Sequence, residues 1–226
     1  MTLQSEIAAV IDRPAAGPRV DPGLRCLTLA HAASCIRRNE ATEALYARAR
    51  ALGVAPERLV ETALLVVAYA GFPSAIEGFG ALHRSGALQG WSGSIEVGPP
   101  PAPDDLAAIG RATFEAVYAE STGPVLAELD GLLPGFSELV LGQVYGRLIA
   151  RPVLTLGERE LLAVAGLSAM ALPRPLESHI RGALRNGYEP VDVEDILLST
   201  LPLADERSRT AIDQAVLRLS RRVTRP

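Results

Sequence analysis

Apolar residues recur at helical spacing along nearly the whole of this chain. No stretch alternates apolar and polar residues between turn signals, so the pattern predicts an all-α protein of about 11–12 helices. The first long helix is expected to open at Pro22 behind Asp21 and to run through LRCLTLAHAASCIRR, because an Asp cap and a Pro at the first helical position suit a helix start. A second spans 40–52 and stops at Gly53, and a third opens at Pro56 and runs to 69. Gly71 and Pro73 break it, and a fourth covers 74–83. Helices over 105–120, 124–132 and 136–149 follow. Thr155 caps the next, to 171; Pro173 and Pro175 form a turn; further helices end at Asn186, open at Pro190 and close the chain over 205–221. Residues 85–103, SGALQGWSGSIEVGPPPAP, are rich in Gly, Ser and Pro and read as a linker.

The two sides of that linker resemble each other. A gapless slide of 134 residues lays Arg25 on Arg159, Leu27 on Leu161, Ser34 on Ser168, Gly53 on Gly187 and Pro56 on Pro190. A slip of one residue then pairs Val60-Glu61 with Val193-Glu194. The matches include caps and turn glycines, positions set by backbone geometry, and point to a tandem duplication: a first repeat at 1–84, the linker at 85–103 and a second repeat at 104–226.

Composition narrows the partners. Hydrophobic residues make up 48% of the 226 but aromatics only 4%, so the core is built from Ala, Leu, Val and Ile. The net charge is −4 with no long basic run, which argues against a nucleic-acid partner. The cluster Arg207, Arg209, Arg218, Arg221, Arg222 and Arg225 reads as the cations of a final helix complementing its dipole. The longest apolar run, 62–72, falls short of a membrane span. The N-terminus has no leader pattern, and the expectation is a cytoplasmic protein. Cys26 and Cys35 lie about 13 Å apart on one helix, too far for a disulfide within it, and read as reduced thiols.

The strongest signature is 154–198, LTLGERELLAVAGLSAMALPRPLESHIRGALRNGYEPVDVEDILL. With Gly142-x-Val144-Tyr145-x-Arg147 before it, Val193-Glu194-x-x-Leu197-Leu198 at its end and Tyr69-Ala70-Gly71-Phe72-Pro73 in the first half, it resembles the carboxymuconolactone decarboxylase-like family, which includes the alkylhydroperoxidase D-like proteins. The resemblance implies an alkylhydroperoxidase D-like helical fold in two repeats. It also implies a homo-oligomer, a trimer of tandem repeats or a hexamer, with apolar faces such as 62–72 at its interfaces.

The peroxidase branch of that family carries a Glu, a Cys-x-x-Cys pair and a His nineteen positions after the Glu. Glu160 and His179 keep that spacing, but Leu172 and Pro175 stand at the cysteine positions. The first repeat has Cys26, Arg38, Ala41 and Leu45 there, and looks degenerate. Dithiol peroxidase activity is therefore not expected. What remains is an acid–base pair, with Glu160 and His179 as candidate catalytic residues. The resemblance to the decarboxylase branch makes a cofactor-free lyase or isomerase, acting on a small carboxylated lactone or enol, the leading function. Tyr145, Arg147 and Arg181 are candidate substrate-binding residues. No metal or cofactor is called for.

Alternatives stay open at this point. Glu160 could serve only the helix dipole and His179 only the helix surface. A plain antiparallel hairpin would leave the two about 9 Å apart along the axis. Thr28, His31 and Cys35 share one helix face and form a rival cluster, able to tune a thiol or bind a soft metal, although only two ligands are visible. A thiol-dependent reductase and a non-catalytic oligomeric binding protein are the competing functions.

Overall fold

The structure, a computed structural model, describes residues 2–14, 16–94 and 102–223. Every regular element among them is helical. In chain order they are α1 (Leu3–Asp12), α2 (Pro22–Cys35), α3 (Asn39–Ala51), α4 (Pro56–Arg84), α5 (Pro103–Tyr118), α6 (Thr122–Leu132), α7 (Phe136–Leu139), a π-helical segment (Val140–Ile149), α8 (Leu156–Ala169), α9 (Pro173–Arg185), α10 (Pro190–Ser199) and α11 (Glu206–Val223). The linker's central stretch, 95–101, and Arg225 lie outside the described residues. The linker's first part, around Ala87, packs back on the core, and Trp91 Nε1 donates to Glu57 at 2.9 Å.

Local signals set most boundaries. The Asp21 carboxylate accepts from the Leu24 amide at 2.7 Å. Thr155 and Glu158 form a capping box at the start of α8, each satisfying an amide the other leaves open. Gly53 and Gly187 end their helices at φ 86° and 100°, a backbone conformation that favours glycine. Pro173 departs from expectation: with Pro175 it sits inside the first turn of α9 rather than in a loop, since a missing N–H costs nothing there. The expected helix over 136–149 splits into one α-turn and the π-helical segment. α5 crosses this segment at backbone contact. A Cβ on Gly110 would lie 1.9 Å from the Leu141 carbonyl oxygen, and one on Gly146 2.3 Å from that of Leu106. The amphipathic helix α1, which buries Ile7 and Ile11, was not anticipated.

α4 is one continuous run broken in place, with Gly71 at φ 77°, ψ 173° and Pro73 two residues on. By length and composition it is the one helix among the described residues apolar enough to cross a membrane, and half of its apolar window is buried inside the protein. Of the apolar run 62–72, Thr62, Ala63, Leu65 and Val66 are buried and 67–71 are half-buried. Its exposed apolar part begins at the end of that run, with Phe72 (70%), and continues past the kink with Ile76 (66%).

The centre of the molecule is α2 packed against α8, both buried on nearly every side. Two guanidinium groups are sealed there. Arg25 on α2 meets Asp195 on α10 at 2.7 Å, and Arg159 on α8 meets Glu61 on α4 at 2.8 Å. Each carboxylate takes a second arginine, Arg13 at Asp195 and Arg151 at Glu61. Each buried arginine also donates to the backbone carbonyl of that second arginine, at 2.8 Å in both cases. The paired helices α2/α8, α3/α9 and the starts of α4/α10 are offset by 134 residues throughout, and so are Glu61 and Asp195. At that constant offset Glu61 falls on Asp195, which makes the corresponding ion pair, whereas the one-residue slip read from sequence lays it on Glu194.

A buried guanidinium stripped of its counter-charge is costly, so Glu61→Gln and Asp195→Asn are each expected to lower stability by about 3–5 kcal/mol. Asp12→Asn, at the exposed Arg48–Asp12 pair, should cost less than about 1 kcal/mol. Urea unfolding of the three variants checks the contrast.

Candidate functional site

Glu160 and His179 meet. Glu160 Oε2 lies 2.9 Å from His179 Nδ1, within one chain; Glu160 is fully buried and His179 is 4% exposed. The earlier start of α9 explains much of this. With α8 ending at Ala169 and α9 beginning at Pro173, the axial offset of the two residues shrinks to about 4–5 Å, within reach of a glutamate side chain. Gly182, one turn after His179 on α9, removes the remaining obstacle. A Cβ there would sit 2.1 Å from Glu160 Oε2.

The carboxylate's other oxygen, Oε1, is buried without a hydrogen-bond partner. With Glu160 ionised it can only accept, so Nδ1 carries the proton that joins the pair. That tautomer leaves the Nε2 lone pair of His179 free.

An aromatic wall surrounds the pair. The Tyr69 ring, from α4, stands edge-on to His179 at 5.4 Å between centroids, and Tyr118, from α5, does so at 6.5 Å. Phe114 stacks on Tyr118 at 4.2 Å and meets Tyr145 edge-on at 4.7 Å. Tyr145 reaches Tyr118 hydroxyl to hydroxyl at 3.4 Å. Three of the chain's five tyrosines and one of its four phenylalanines thus gather at one carboxylate–imidazole pair. The Tyr69 hydroxyl is buried and unpartnered. Burial first, then the neighbouring charges that include Glu160, pushes the Tyr69, Tyr118 and Tyr145 phenols up, so all three stand as neutral donors at neutral pH.

The other sequence candidates distribute unevenly. Tyr145 belongs to the wall. Arg181 is half-buried, donates to Ser178 at 3.2 Å and is close enough to Tyr118 to act on its charge. Arg147 is exposed on the π-helical segment, and no hydrogen bond or ion pair joins it to the cluster. Tyr118 and Phe114 were not singled out from sequence; they arrive because α5 packs on α9, where Arg185 donates to the Val117 carbonyl at 3.0 Å and to Glu120 at 2.7 Å. The three clefts described on the protein are lined by other residues, and the pair sits behind the surface.

The rival cluster is also real, in part. Cys35 Sγ lies 3.6 Å from His31 Nε2, while Thr28 turns away and donates to the Arg25 carbonyl. His31 Nδ1 faces the Thr62 carbonyl at 3.4 Å, and the His31 ring stands edge-on to Tyr69 at 5.6 Å. Tyr69 therefore touches both histidines. Burial pushes the Cys35 thiol up to about 12 and lowers His31 to about 4, the Thr62 carbonyl opposing the latter shift. Cys26 and Cys35 are both free thiols. Among the described residues no group of three or more His, Cys, Asp and Glu side chains converges as a metal site. Compared with known proteins, the chain matches no family model and no curated protein.

Gly182→Ala should drive the Glu160 carboxylate off His179 at a stability cost of about 1–3 kcal/mol. The expected sign is loss of the hydrogen-bonded His179 Nδ1 proton from the NMR spectrum, with the helical circular dichroism retained. His31 predicts an acid effect. Its imidazole takes a proton near 6.5 when unfolded and resists to about 4 when folded, so the unfolded chain binds more protons between those values. Stability should fall as pH drops through that window, by about 3 kcal/mol at its lower end. Urea unfolding at pH 7, 5.5 and 4.5 should show this component missing in His31→Leu.

Proposed function

We propose that this chain is a tandem carboxymuconolactone decarboxylase-like protein of alkylhydroperoxidase D-like fold, with a degenerate first repeat. It works as a cofactor-free acid–base lyase or isomerase on a small carboxylated lactone or enol. The observation that carries this reading is the Glu160–His179 bond of 2.9 Å, buried in an aromatic enclosure with one carboxylate oxygen left open. A buried polar atom without a partner is costly in a purely structural role. The common offset of 134 residues in helices, turns and ion pairs supports the tandem repeat.

Each residue then has a task. Held by Glu160, His179 presents Nε2 to the substrate and is stabilised as imidazolium when it accepts a proton. In the isomerase direction it takes a proton from a carbon beside a carbonyl and returns it to another carbon. In the lyase direction the substrate carboxylate leaves as carbon dioxide. Its bonding pair moves onto the lactone carbonyl oxygen, and His179, having taken a proton at Nε2 from solvent, passes it to carbon and returns to its neutral form. A neutral phenol aimed at that oxygen, from Tyr69, Tyr118 or Tyr145, stabilises the developing negative charge. Arg181, at the edge of the wall, is the cation for a substrate carboxylate. Arg147 would take part only by turning inward.

The oligomer is part of the proposal. Phe72 and Ile76 are exposed just beyond Tyr69 on α4, a surface suited to a second copy in a trimer or hexamer. The peroxidase alternative has Leu172 and Pro175 where a dithiol belongs.

Glu160→Gln and His179→Gln should each lower kcat at least about a hundredfold on a responsive carboxylated lactone, with KM little changed. Tyr69→Phe should lower kcat less. Turnover that survives both Glu160→Gln and His179→Gln sinks the acid–base reading.

A further inference from the structure

The cluster around Cys35 has donors for which the Glu160–His179 chemistry has no use. On α2, Cys35 Sγ and His31 Nε2 sit 3.6 Å apart. For a metal bound at ordinary metal–sulfur and metal–nitrogen lengths, two donors at that spacing subtend about 110°, within the range of trigonal and tetrahedral sites. The imidazole is oriented for ligation. Its Nδ1 is directed to the Thr62 carbonyl, which can only accept, so Nδ1 carries the hydrogen and Nε2 carries the lone pair.

A third soft donor comes from the other half of the chain. Met170, at the end of α8, is one of only two methionines in the sequence and packs against the small cluster of Cys35, Val66 and Ala75. Gly166 lets the α8 backbone close directly on both donors: a Cβ there would stand 3.0 Å from His31 Nε2 and 3.2 Å from Cys35 Sγ. The Tyr69 hydroxyl, on a ring that meets His31 edge-on and packs against the same small cluster, is buried without a hydrogen-bond partner. Cys35 is 7% exposed and Met170 partly exposed, which puts the cluster one layer below the surface.

We propose that Cys35, His31 and Met170 form a binding site for a soft monovalent cation, Cu(I) or its analogue Ag(I). Thiolate and thioether ligands select such ions over zinc and over hard cations. The absence of a carboxylate in the donor set points the same way. Binding replaces the thiol proton: the S–H bond breaks, an S–Cu bond forms, one proton passes to solvent and no electron is transferred. Cys26 is fully buried on the same helix, no hydrogen bond joins it to a histidine among the described residues, and it serves as the internal control.

The test is an anaerobic titration of the full-length protein against Cu(I) held as its coloured complex with bathocuproine disulfonate. Wild type is expected to withdraw one equivalent and release one proton, and X-ray absorption should show sulfur and nitrogen neighbours together. Cys35→Ser and His31→Leu should lose the equivalent, Cys26→Ser should keep it, and Met170→Leu should bind at least tenfold more weakly. Failure of wild type to compete overturns the site whatever the variants do. So does an equivalent that survives in Cys35→Ser or disappears in Cys26→Ser. Unchanged affinity in Met170→Leu overturns the three-ligand arrangement.

Discussion

Burying Arg25 and Arg159 is possible only because each finds a carboxylate on the other half of the chain. A guanidinium cannot shed its charge, so its desolvation must be met by a close counter-charge and hydrogen bonds. The counter-charge is supplied at both sites, and the terminal nitrogens are hydrogen-bonded, while the Nε of each arginine is left without a partner. Asp195 and Glu61 each bridge a buried arginine and a more exposed one, and backbone carbonyls take further donors. This crossed pairing holds α2 against α8 in a single register. Each arginine sits beside a residue of interest: Cys26 follows Arg25 and Glu160 follows Arg159. The ion pairs thus fix the two central helices, and through α8 they fix the depth at which the Glu160 carboxylate lies.

From that register the site is assembled by three further helices. α9 brings His179 and, through Gly182, approaches Glu160 without a side chain in the way. α5 contributes Phe114 and Tyr118, and the kinked α4 contributes Tyr69 from the first half. The site is therefore a joint product of both halves, although its acid–base pair belongs to one. Tyr69 makes edge contacts with His31 and His179 alike, so the packing around Cys35 and the packing around Glu160 share a wall.

What could be read from the sequence was mostly local. Asp21, Thr155, Gly53, Gly187 and the prolines at 22, 56 and 190 act on the backbone within a few residues, so their meaning does not depend on the rest of the fold. Pro173 misled because a proline marks a turn and a first helical position equally well, and the two residues at stake decided the Glu160–His179 offset. The pair itself was legible only through its spacing, which carried the family pattern; helix geometry alone left it apart. Glu61 was aligned with Glu194 because the residue types matched, whereas charge and position together select Asp195. Phe114, Tyr118 and Met170 reach their clusters only through tertiary packing, and no local signal announces that.

The crossed ion pairs also bear on how the chain acquires its fold. Arg25 and Asp195 are separated by 170 positions. At ribosomal speeds of about 5–20 residues per second, Arg25 waits roughly 10–30 s for its partner to be made. For most of that interval α2 has neither its counter-charge nor the α8 surface it packs on. The nascent first half must therefore remain open at its centre until α8 and α10 have been made, and the final docking of α2 and α8 waits for both.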